Sequence, residues 1–287
     1  MADQLGARFL RINLIGLFAV ALWLRVTSLE AIPEACGDET WYGVQAAKLL
    51  RGEPFAHYTF SGNPDNPFYF GPVVALTALF RPSAWIVRLP AVVSGVLAVI
   101  LTWGLGRRVL DRTTAWIAAT LLAVLPVAIV FSRIGLDGSQ LPLCGLLCLY
   151  YAFAGKGIGL LLATLAGLIV HPTSVFLLPA SLGVFLVRVI ERTQGDPVSR
   201  RRWLMTTAVI AAVGCVAWGW ITFRRPFVRA YFQQHFQDQD WGAFLASFDR
   251  FFLGLALPPH EPHLQHGWLP PVSGESRGWQ GGLFWAC

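Results

Sequence analysis

Residues 84–106 read AWIVRLPAVVSGVLAVILTWGLG, and Arg107, Arg108 and Arg112 follow. A helix rises about 1.5 Å per residue, so a hydrocarbon layer of roughly 30 Å takes about 20 apolar residues. The stretch has that length, and the basic group at its end is where long cationic side chains reach the interface. Working outward from it, six more apolar runs are bounded by charge, Gly or Pro. They are Phe9 to Val26, flanked by Arg8, Arg11 and Arg25; Thr114 to Phe131; Leu141 to Ala154; Ile158 to Val170; Thr173 to Val187; and Trp203 to Phe223. His171-Pro172 divides the fifth and sixth into a hairpin, since together they are too long for one span. The fold expected is an all-α polytopic membrane protein of about seven transmembrane helices with a large first external loop.

Composition supports this. Of 287 residues, 55% are hydrophobic and 13% charged, against roughly 45–50% and 25% in soluble domains. The net charge of +6 falls in short groups between apolar runs, so the partner it implies is a bilayer and not a nucleic acid. A secretory signal peptide is disfavoured at the first run, because no small-x-small cleavage pattern follows it. Five cysteines form no disulfide framework or paired zinc site, and Cys144, Cys148 and Cys215 lie in apolar runs as small hydrophobes. A Cys36–Cys287 bridge is open if both face one compartment, but two free thiols are expected.

With the N-terminus inside, the Arg107–Arg112 group, Lys156 and the Arg188–Arg202 group are cytoplasmic, as the positive-inside bias requires. Residues 29–83 and the tail 224–287 then lie outside. The first carries a predicted helix, Trp41 to Arg51, with Asp38 as an N-cap. Phe68 to Phe80 is too short to cross and is expected in the interface, with Tyr69 at headgroup level. Pro258, Pro259, Pro262, Pro270 and Pro271 break any long helix in the tail. No repeat and no phosphate-binding Gly-Lys-Ser/Thr loop is present.

This topology brings Asp38 and Glu39 to the same face as Arg133 and Asp137. A carboxylate there can take a proton from a hydroxyl, and an arginine can stabilise a phosphate leaving group; on composition alone the same residues read as solvated loop charges. His171 reads on its own as a helix-end residue. His260, His263 and His266, with Glu261, are ligand types for zinc or another divalent metal, although the prolines around them disfavour a helix that would stack them. His235, Asp238 and Asp240 read as solvated loop residues.

Gly37-Asp38-Glu39-Thr40-Trp41-Tyr42, continuing with Ala46, Leu49, Leu50 and Gly52, resembles the first external loop of the GT-C membrane glycosyltransferases. The resemblance is to the branch of the bacterial aminoarabinose–lipid A transferases and the dolichyl-phosphate-mannose protein mannosyltransferases. Pro67 with Pro72, Arg88-Leu89-Pro90, Gly106-Arg107-Arg108, Pro126, and Ser132-Arg133 before Asp137 follow in the same order, over roughly residues 10 to 155.

The resemblance implies a GT-C-like helical bundle and inverting transfer of a sugar from a polyprenyl-phosphate donor to a lipid, glycan or protein hydroxyl. It implies an active site facing the periplasm or exterior, in a protein of the bacterial inner membrane. Asp38 corresponds to the base, Glu39 to the second acid and Asp137 to the acid of the second external loop. Arg133 and His171 are the donor-phosphate candidates. No cofactor is required, and a divalent metal on the tail histidines is the one open addition.

Family members carry more spans and often a soluble external domain. Residues 1–223 are therefore expected as the GT-C-like unit and 224–287 as an external, shortened remainder, with a second subunit a candidate source of further spans. Two other readings stand beside transfer: a non-catalytic or split subunit binding polyprenyl phosphate, and a transporter of lipid-linked sugar. Acids at loop ends and the lack of a repeat argue against transport.

Overall fold

Each of the seven apolar runs folds as helix, because a backbone removed from water must satisfy its N–H and C=O groups within its own segment. The computed structural model describes residues 2–33, 37–57, 59, 65–80, 82–194 and 196–223, and no strand is found among them. The described helices are α1 (Ala2–Val26), α2 (Gly37–Leu50), α3 (Pro67–Leu79), α4 (Ala84–Val109), α5 (Arg112–Val124), α6 (Pro126–Phe131), α7 (Leu141–Phe153), α8 (Gly157–Val170), α9 (Leu178–Arg192) and α10 (Pro197–Phe223). Short 3-10 segments, Asp137–Gln140 and Pro172–Leu177, precede α7 and α9. Three stretches are long and apolar enough to cross a membrane: Ala84–Val109, Pro172–Arg192 and Pro197–Ile221. The helices Asn13–Val26, Arg112–Val124 and Gly157–Val170 are apolar but shorter.

Several boundaries differ from the sequence reading. The third run is not continuous: Leu125 turns to extended backbone (φ −63°, ψ 120°) and a new helix starts at Pro126, whose ring disfavours the helical conformation in the residue before it. The sixth run opens with a 3-10 segment at Pro172. The first-loop helix begins at Gly37, so Asp38 lies within the first turn of α2 and not at its N-cap. Tyr69 is fully buried within the bundle, and its hydroxyl donates to the Val87 carbonyl at 2.7 Å. Cys144 and Cys148 are buried as expected, while Cys215 is exposed.

α4 is the central helix: half of its apolar window is buried, against 11% for α10. At its start, Trp41, Tyr42, Tyr69, Phe70, Val73 and Val87 pack α2 and α3 onto it. Further along, Val99 and Trp103 meet Leu17 and Ala21 of α1 and Ala115, Ala119 and Ala123 of α5. These three alanines recur every fourth residue on one face of α5 and are fully enclosed, the small-residue stripe that lets two membrane helices approach closely. A third group, Cys148, Ala152, Leu160, Ala163, Phe185 and Ile210, joins α7, α8, α9 and α10.

The α4–α5 turn shows how tight this approach is. A Cβ built on Gly106 would stand 2.8 Å from that of Ala115, whereas one on Gly104 meets nothing within 4 Å. Gly106→Val should therefore lower the thermal midpoint of the detergent-extracted protein, at an overpacking cost of about 1–3 kcal/mol. Gly104→Val should melt close to wild type in the same measurement.

Candidate functional site

Glu39 sits in the first turn of α2 and is 3% exposed, and Arg88, in the first turns of α4, is fully enclosed. Nε of Arg88 donates to Oε1 of Glu39 at 2.5 Å and Nη2 to Oε2 at 2.8 Å, a two-pronged guanidinium–carboxylate pair. The remaining nitrogen, Nη1, donates to the Leu29 carbonyl beyond α1 at 2.6 Å. Oε1 of Glu39 also accepts from the Gly135 amide at 3.0 Å. A Cβ on Gly135 would come 2.6 Å from that oxygen, so the close approach of the 132–136 loop requires glycine. One buried carboxylate thus joins the end of α1, the start of α2, the start of α4 and the loop after α6.

Arg133 lies in that loop and is 8% exposed. Its guanidinium donates to three main-chain carbonyls at the end of α1: Leu24 (2.8 Å), Thr27 (2.6 Å) and Ile32 (2.8 Å from Nη2, 3.1 Å from Nε). Burial, and then the neighbouring Arg88 charge, pull it below the ordinary guanidinium value; an arginine starts so high that it remains a cation at neutral pH. Asp137 opens the first 3-10 segment, 8% exposed, and its Oδ1 accepts from the Gly138 amide at 2.8 Å. Gln140 closes that segment. It accepts from Asn66 at 2.9 Å and donates to the Phe68 carbonyl at 3.2 Å, tying the second outer loop to the start of α3.

His171 caps the second 3-10 segment: Nδ1 lies 2.7 Å from the Thr173 hydroxyl and accepts from the Thr173 amide at 3.3 Å. α8, which ends at His171, touches the Asp137–Gln140 segment, so His171 falls at the same end of the bundle as the acids. Beside Glu39, a mainly apolar cleft of about 260 Å³ opens between α2, Thr77 of α3 and residues 82–87.

At the other end, Arg108 stacks on Tyr150 (4.7 Å to the ring centre) and Arg188 on Phe153 (5.7 Å). Arg192 donates to the Ala154 carbonyl at 3.1 Å. The basic groups gather where α4, α7 and α9 end, and the buried acids where α4 begins, separated by the length of a helix of 26 residues, roughly 39 Å.

A family model described as dolichyl-phosphate-mannose-protein mannosyltransferase matches residues 66–220, more than half of the chain. The chain belongs to that family. Comparison with curated proteins and with solved structures gives no match. Membership in this GT-C mannosyltransferase family makes the chain a membrane glycosyltransferase by kind. Arg88, Arg133, Asp137 and His171 lie within the matched residues. Asp38 and Glu39 lie before them, and Glu39 joins the matched segment through Arg88 and Gly135.

Among the described residues, the structure brings Glu39 together with Arg88, and Arg133 and Asp137 onto one short loop. Asp38 is placed by its backbone in the turn that carries Glu39. His260, His263 and His266, with Glu261, lie outside the described residues, as do His235, Asp238, Asp240, Cys36 and Cys287. Among the described residues no cluster of three or more His, Cys, Asp or Glu could hold a metal. The sequence reading gave no role to Arg88 or Gly135. For Arg88 the signal was present: a charge inside the first turns of an apolar span is retained only with a partner.

Removing one member of a buried pair strands the other. Arg88→Met should destabilise the protein by about 3–5 kcal/mol, and the double change Glu39→Gln with Arg88→Met should recover much of that loss. Thermal melting in detergent checks both, and equal melting of the single and double variants would show that the pair is not coupled.

Proposed function

We propose that this protein is an inverting glycosyltransferase that moves a sugar from a polyprenyl-phosphate donor to a hydroxyl of a lipid, glycan or protein at the outer face of the membrane. The observation that carries the reading is the Glu39–Arg88–Gly135 junction. It fixes the turn holding Asp38 beside the loop holding Arg133 and Asp137, at the end of the bundle away from the arginine cluster. Taking that cluster as cytoplasmic, by the positive-inside bias, and the seven helical runs as spans puts the acidic end outside.

Asp38 is assigned the role of base, accepting the proton of the acceptor hydroxyl. The acceptor oxygen then bonds to the anomeric carbon from the face opposite the phosphate. The bond from that carbon to the phosphate oxygen breaks, its electron pair leaves with the phosphate, and the anomeric configuration inverts. Both oxygens of Glu39 are engaged by Arg88, so Glu39 suits positioning the Asp38 turn better than proton transfer. Arg133, a buried cation bonded to carbonyls and to no carboxylate among the described residues, supplies positive potential for the departing phosphate, and His171 and Asp137 are assigned to the same donor side. A lipid-linked phosphate already lies at the interface, so it meets these groups without crossing hydrocarbon.

The test is consumption of a mixed pool of polyprenyl-phosphate sugars in vesicles, read by mass spectrometry, for wild type and Asp38→Asn inserted to equal levels. Wild type should deplete one donor species, and the variant should be slower by about 10²–10⁴-fold, the usual contribution of a general base. Equal turnover would remove Asp38 from the mechanism.

A further inference from the structure

Pro126 has no N–H to return to the carbonyl of Leu122, four residues back. Across the break, the Leu125 amide reaches the Leu121 carbonyl at 2.8 Å and the Ile129 amide reaches the Leu125 carbonyl at 3.0 Å. Two of the carbonyls between them, those of Leu122 and Ala123, are met from another helix. Arg25 of α1 donates from Nη2 to the Leu122 carbonyl at 3.1 Å and from Nη1 to the Ala123 carbonyl at 3.0 Å, while Nη1 also reaches the Ala21 carbonyl at 3.0 Å.

Arg25 is 1% exposed, and among the described residues it has no carboxylate partner. Its Nε is buried without a hydrogen-bond partner among the described residues and faces α4, where a Cβ built on Gly95 would come within 3.1 Å. A guanidinium enclosed within a helical bundle is costly and is normally retained for a task. Arg133 works the same corner in the opposite direction. Arg25 reaches from α1 to the carbonyls where α6 departs, and Arg133 reaches from beyond α6 back to the carbonyls that end α1.

We infer that Arg25 is a positioning residue: it caps the carbonyls that Pro126 leaves open and so fixes the angle at which α6 delivers Arg133 and Asp137 to the outer end of the bundle. Its effect on turnover rests on the transfer reading proposed above; its pairing with the Pro126 break does not.

The pairing is tested by thermal melting of the full chain in detergent, comparing wild type, Arg25→Met, Pro126→Ala and the double variant. Alanine at 126 restores an amide that can return to Leu122 and lets the next amide return to Ala123. Arg25→Met should therefore lower the midpoint strongly beside Pro126, and by less than half as much beside Ala at that position. Equal lowering in both backgrounds overturns the pairing. If Arg25→Met does not fold at all, a folded double variant supports the inference and an unfolded one overturns it.

Positioning is then read as turnover of the polyprenyl-phosphate-sugar pool by the variants that melt cooperatively. Straightening the third run should cost Pro126→Ala about 10²-fold in turnover, the effect of a misplacement on the order of 1 Å, although the protein stays folded. Wild-type turnover by folded Pro126→Ala overturns the positioning role. Failure of wild type itself to consume any donor would remove the transfer reading and with it the positioning role, while the melting comparison still decides the Arg25–Pro126 pairing.

Discussion

The buried pair between Glu39 and Arg88 holds together segments that the sequence keeps about 50 or more residues apart. Enclosing both charges costs several kcal/mol each in desolvation. That cost is offset only because the guanidinium meets the carboxylate edge to edge and the spare donor and acceptor sites are filled by the Leu29 carbonyl and the Gly135 amide. Geometry this constrained leaves little freedom in the direction of the first turn of α2. The packing of Tyr42, Tyr69 and Phe70 against α4 supports the same placement from the apolar side. A turn carrying two adjacent acids is thus anchored by one of them, and the other is held in a fixed frame.

Three arginines organise this end of the bundle, and each answers the same problem differently. Arg88 takes a carboxylate, Arg133 takes carbonyls at the end of α1, and Arg25 takes carbonyls at the proline break. A planar guanidinium with five donors can serve several acceptors at once, which a lysine ammonium cannot reproduce. Arg25 and Arg133 are paired with main-chain dipoles and not with acids, so neither guanidinium charge is cancelled by a direct ion pair among the described residues. In the proposed reaction the local cation that a departing phosphate requires is Arg133, at the end where a lipid-linked phosphate would be met. The opposite end stacks its arginines on Tyr150 and Phe153, where aromatic side chains and long cationic stems share the interface.

Family membership and the physical reading meet at the matched residues 66–220. They contain Arg88, Gly135, Arg133 and Asp137, and the Asp38–Glu39 pair of the proposed reaction is tied to them by the Glu39 contacts. Glycosyl transfer of the mannosyltransferase kind follows from the family. The assignment of the base and of the donor-side groups is the proposal built on this junction.

Apolar runs long enough for helix, separated by basic groups and proline, were legible because a membrane-depth backbone has one local solution and proline punctuates it wherever it occurs. The same logic located α4, the His171-Pro172 division and the acidic turn after α1. What the linear text did not show was partnership. Tyr69 was visible as a phenol that needs an acceptor, and only the fold shows that the Val87 carbonyl lies within reach. Pro126 was visible as a residue, but its freed carbonyls and their capping by Arg25 depend on two helices about 100 residues apart crossing at one level. Arg88 was visible as a charge at the head of a span, and Glu39 as one of a pair of acids. That each is the other's partner was decided by tertiary structure, because a side chain's hydrogen bonds depend on which distant backbone and which counter-charge the packing brings within 3 Å, and no periodicity encodes that.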